Sequence, residues 1–134
     1  MNAHPDRAWI WLCSAVVAHL LVSMVHGTTH TFAHVPLSPA ANLFVILVIL
    51  AGPVVGLGLS WPARRGGSWL VAITMAASLI FGIVNHFVRS SPDHVAHVDP
   101  AWRLLFATTA VLLAVLEVLA SGLAVHIARE RTPS

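Results

Sequence analysis

Four stretches of this chain, about 8–27, 40–60, 68–88 and 102–127, are each long enough to cross a bilayer. Together they carry only two charged residues, Arg103 and Glu117. A helix needs about 20 mostly apolar residues to cross roughly 30 Å of hydrocarbon. Charged residues make up 9% of the 134-residue chain, against about 25% in a soluble domain. The expectation is an all-α membrane protein, a four-transmembrane-helix antiparallel bundle forming one integral membrane domain over residues 1–134. The connections are short, so neighbouring spans run in opposite directions.

Helix-start chemistry punctuates the spans. Ser38-Pro39 supplies a capping hydroxyl followed by a proline at the first helical position, and Asp99-Pro100 repeats the device. Ser91-Pro92-Asp93 does so again, which predicts a short extracytoplasmic surface helix through about Val98, between spans three and four. On it His94 and His97, three apart, share a face. Span two carries Gly52, Gly56 and Ser60 at four-residue intervals, a small-residue stripe for close helix packing, and Pro53 should kink it. Gly66-Gly67 reads as a turn.

Arginines orient the chain. Arg7, Arg64, Arg65, Arg129 and Arg131 fall on one side, and only Arg89 and Arg103 on the other. The positive-inside rule then places both termini in the cytoplasm of a plasma (inner) membrane protein, with the loops after spans one and three outside. The five tryptophans lie near the span ends, where amphipathic rings prefer to sit. His19 and His26 interrupt the first span and no small-residue cleavage site follows, so it reads as a retained span. A formal net charge of +2, scattered along the chain, argues against a nucleic-acid partner. The expected partners are the lipid bilayer, other membrane subunits or a lipid-soluble substrate.

Six of the nine histidines gather at the outer side: His26, His30, His34, His86, His94 and His97. At 100° per residue His19, His26 and His30 fall within about 40° of one another, and His26 and His30 have the i, i+4 spacing that lets two imidazoles chelate one ion. His34 continues the line only if the helix survives Gly27 and runs on to about Ala33. One interfacial histidine is just a polar-tipped side chain at headgroup level. Six on one side, against His4 and His126 on the other, point to shared ligation.

The candidate metal ligands are therefore His26, His30, His86, His94, His97 and Asp93, with His34 as a possible addition; Asp99 is spent on its cap. Imidazoles with a carboxylate suit Cu, Zn, Fe or Ni, and they are numerous enough for two ions. No thiolate lies at this end, since Cys13 is in the first span.

Glu117 is the one acidic residue inside a span, and an ionised carboxylate there is costly without a partner. Counting about 1.5 Å per residue places His19 at a similar depth, so the two should share a hydrogen bond or a proton, as a proton path or a deep ligand.

Three functions compete. The first is a membrane metalloprotein with a transition-metal site for redox chemistry or metal handling, which includes a metal-dependent oxidoreductase. The second is a small b-type cytochrome with haem b between His26 and His86. The third is a cofactor-free, pH-responsive accessory subunit or proton-coupled carrier using His19 and Glu117.

Overall fold

The computed structural model describes residues 7–61 and 65–130. His4, Arg64 and Arg131 lie outside the described residues. Within them the regular structure is helical, and four helices are long and apolar enough to cross a membrane: α1 (Arg7–Phe32), α2 (Pro39–Ser60), α3 (Arg65–Val88) and α4 (Pro100–Glu130).

The caps form as their chemistry dictates. Ser38 Oγ accepts the Ala41 amide at 3.1 Å to start α2, and Asp99 Oδ1 accepts the Ala101 amide at 2.8 Å to start α4. Helix α1 continues through Gly27 and stops on His34, whose φ is +54°. The amide of His34 bonds Thr31 O and that of Val35 bonds His30 O. This paired 5→2 and 6→1 closure is a Schellman motif, with histidine in the place usually taken by glycine.

Two helices depart from α geometry. In α2, Val45–Ala51 is wound as a π-helix, and the Gly52 amide reaches back to Leu47 O. Pro53 follows directly and has no amide to give, so the widened turn ends where the proline ring begins. In α3, Val84–Val88 is also π-wound and carries His86. Between α3 and α4 stands a single 3-10 turn, Val95–His97, shorter than the surface helix expected from Ser91. Gly66 and Gly67, expected to form a turn, lie in the first turn of α3.

Packing turns the polar residues inward and the apolar ones outward. Leu21, Met24, Ile73, Ile80, Leu104 and Val118 are each more than half exposed, while His19, His26, His30, His86 and Glu117 are buried. That distribution suits a hydrocarbon solvent.

Helix α4 packs along both α1 and α3, and α2 packs on α3. One apolar core, formed by Leu12, Val16, Val71, Met75, Ala120 and Ile127, lies toward the arginine-rich end. A smaller one at the other end joins Val35, Val98 and Phe106.

The α2–α3 contact is very close. A Cβ at Gly67 would fall on the backbone nitrogen of Ser60, and one at Gly56 would lie 2.6 Å from Val71 Cγ2. Backbone cannot move aside as a side chain can. Gly67→Ala should therefore destabilise the protein by about 1–3 kcal/mol. Gly58→Ala, whose added Cβ meets nothing within 4 Å, should not. Thermal unfolding of the two variants in detergent checks the contrast.

Candidate metal centre

Two helices deliver three imidazoles to one point. His26 and His30 face inward one turn apart on α1, and the π-wound end of α3 brings His86 against them. His26 Nε2 lies 3.3 Å from His86 Nε2 and 3.3 Å from His30 Nε2. One ligand nitrogen from each ring falls within 4.8 Å of the others, so the trio could hold a metal ion. Two nitrogens bound at 2.0–2.1 Å in tetrahedral geometry stand about 3.4 Å apart. The His26–His86 and His26–His30 spacings are nearly that.

Hydrogen bonding on the far side of the His26 and His86 rings bears on which of their nitrogens are bare, whereas His30 Nδ1 has no partner. With its own proton on Leu105 O, 2.8 Å away, Thr109 Oγ1 is an acceptor for His26 Nδ1 at 2.8 Å. In that arrangement the His26 proton is on Nδ1 and its Nε2 lone pair faces the cluster. His86 Nδ1 donates to Asp93 O at 3.2 Å, which likewise bares its Nε2. Two lone pairs then point at each other across 3.3 Å with no proton of their own between them. His30 Nε2–H could donate to one of them and would leave the other unsatisfied. A cation at the centre satisfies both lone pairs at once.

Phe106 forms the floor. It is fully buried, and its ring centroid lies 4.6, 4.9 and 5.1 Å from those of His26, His30 and His86. Asp93 joins from the loop. Its Oδ1 is 3.2 Å from His86 Nδ1 and 3.4 Å from His30 Nε2. Burial pushes this carboxyl up. The polar contact with the His86 ring, and then the field of His86, His30 and His26, outweigh that and hold it below the usual carboxylate range.

The remaining candidates lie elsewhere. His94 caps the 3-10 turn, its Nδ1 accepting the Ala96 amide at 3.1 Å, so a neutral His94 carries its proton on Nε2. His97 Nδ1 donates to Ser91 O at 2.7 Å and staples the same loop. The two rings are 5.4 Å apart and outside the trio. His34 is exposed at the helix stop. His126 meets Glu130 at 3.3 Å on the surface.

Deeper in the protein His19 Nε2 and Glu117 Oε1 are 3.1 Å apart, both buried. His19 stands seven residues before His26 on α1, about 10 Å along the axis, so the pair and the trio cannot share one ion.

A cavity of about 80 Å³ connects the two levels, with His26, His86 and Asp93 at one end and Glu117 at the other. Thr109, Phe106 and Ser23 contribute to this region without any sequence signal marking them. No family model, curated protein or solved structure matches the chain.

Proposed function

We propose that this chain is an integral membrane metalloprotein, a single-domain antiparallel bundle of the plasma membrane with its histidine-rich end outside. It holds one transition-metal ion on His26, His30 and His86, with Asp93 as the adjoining carboxylate, for redox chemistry or metal handling. The convergence of three imidazole nitrogens, two of them 3.3 Å from His26 Nε2, carries this reading. Burial of all three rings over Phe106 favours a resident ion, because a site that trades metal with water needs an exposed ligand.

Three nitrogens suit Cu, Zn, Fe or Ni and leave a coordination position free. A haem does not suit the arrangement. Axial imidazoles sit on opposite sides of a porphyrin plane, whereas His26 Nε2 and His86 Nε2 lie only 3.3 Å apart with His30 against the same His26 nitrogen. The His19–Glu117 pair then serves proton exchange with the metal end, since Glu117 lines the cavity that also borders His26 and His86.

Elemental analysis of the full chain purified in detergent, beside a variant lacking His26, His30 and His86, tests the assignment. One equivalent of metal in the wild type and none in the variant is expected. Equal content in both overturns it. Thr109 supplies a finer check, because partners that orient a metal-bound histidine are worth about 10–100-fold in affinity. Thr109→Val keeps the shape but removes the acceptor for His26 Nδ1. It should weaken Zn(II) binding by that factor in a chelator competition assay.

A further inference from the structure

Three of the four helix seams are packed, and the fourth is not. Helices α1 and α2 are held together at the arginine-rich end, where Trp9 Nε1 donates to Ser60 Oγ at 3.3 Å and the Trp9 ring lies 4.6 Å from Trp61. Toward the histidines the same seam opens into the 80 Å³ cavity. On the α1 side its rim is Gly27, which is exposed, and half-buried Ser23; on the α2 side it is half-buried Val45 and Ile49 from the π-wound segment. The interior, with His26, His86, Ser78 and Glu117, is buried.

The aqueous end is closed. Val98 is 1% exposed and Val35 8% exposed, and both pack on Phe106 across that end of the bundle. The α1–α2 gap, bordered by exposed Gly27, is the opening a molecule from the bilayer would use.

We infer that the α1–α2 cavity is a lateral binding site for a straight-chain amphiphile ending in oxygen, a fatty alcohol or a fatty acid, whose head reaches the metal centre. The inference rests on the metal reading above and names the class of ligand that site takes. Several features select this class.

The walls are mostly apolar, so the body of the ligand is hydrocarbon. The volume is about half of the roughly 150 Å³ that accepts a benzene ring, so the body is a narrow, unbranched chain and not a ring. The open coordination position calls for an oxygen at its tip. Ser23 Oγ, in the cavity wall, is buried with no hydrogen-bond partner, a waiting contact for that head. Gly27 keeps the mouth clear, since a Cβ added there would have nothing within 4 Å.

The test uses the full chain in lipid nanodiscs loaded with Co(II), whose visible ligand-field bands report on its coordination. Addition of 1-decanol or decanoate should shift these bands saturably, and the relative response says which head is preferred. Decane, which lacks the head, and acetate, which lacks the chain, should leave them unchanged. Gly27→Leu fills the mouth without touching the histidines. It should keep its cobalt and resting spectrum while the half-saturating amphiphile concentration rises at least tenfold. Wild-type behaviour of Gly27→Leu, or an equal shift with acetate, overturns the inference.

Absence of cobalt binding in the wild type would instead overturn the metal reading. The cavity is then judged by photolysis of a straight-chain diazirine fatty acid in the same discs. Labelling at Val45 or Ile49 that disappears in Gly27→Leu supports the site. No labelling there, or labelling unchanged by the substitution, rejects it whatever the metal result.

Discussion

His26→Ala should weaken Zn(II) or Cu(II) binding at least 100-fold, about 2.7 kcal/mol, more than any other single substitution. His26 is the shared vertex of the cluster, with its Nε2 3.3 Å from both other rings. Removing a partner that merely orients a ligand costs about 10–100-fold, so loss of the central ligand sets a higher floor. His30→Ala and His86→Ala should follow with smaller losses, because each leaves a pair still spaced to chelate. His94→Ala and His97→Ala should stay within about twofold of wild type, since one ring caps a turn and the other staples a loop. Competition with a chromophoric chelator on the detergent-solubilised chain gives all five affinities. Equal effects of His26→Ala and His94→Ala would show that the histidines bind metal only as a diffuse surface.

Spans and depth were legible in the sequence because both depend on quantities that a linear chain carries. Apolar run length marks the helices, and a constant rise per residue brings His19 and Glu117 to one level, where they meet at 3.1 Å. The i, i+4 spacing put His26 and His30 on one face for the same reason. What failed to show was whatever depends on competition for one atom. Spacing cannot say whether the His94 Nδ1 lone pair goes to a metal or to the Ala96 amide. The backbone donor lies two residues away and wins. His34 continued the histidine line in sequence, yet the chain needed a left-handed residue there before Pro36, and the helix stop took it. Thr109 was silent because its role depends on the register between α1 and α4, which no local pattern encodes. Gly66-Gly67 looked like a turn, but close approach to Ser60 uses the missing side chain within a helix.

Replacing either partner of the buried His19–Glu117 contact should cost about 3–5 kcal/mol, whereas replacing both by leucine should cost little or nothing. The asymmetry follows from desolvation. A polar group already removed from solvent loses its only compensation when its partner is deleted, while two well-packed apolar side chains create no such debt. His19 is fully buried and Glu117 nearly so, and His19 Nδ1 has no partner of its own, so deleting either residue strips the other of its only protein hydrogen bond. His19→Leu and Glu117→Leu should therefore unfold at markedly lower temperature or denaturant concentration. The double variant should return to within about 1 kcal/mol of wild type, a coupling readable in a double-mutant cycle. A double variant as unstable as the worse single one would mean that the pair is needed for packing and has no further role. Recovery would mean that the bundle folds as well with an apolar pair at this depth. A contact that folding does not need, beside the cavity that also borders the histidines, would then fit the proton-exchange role proposed for it.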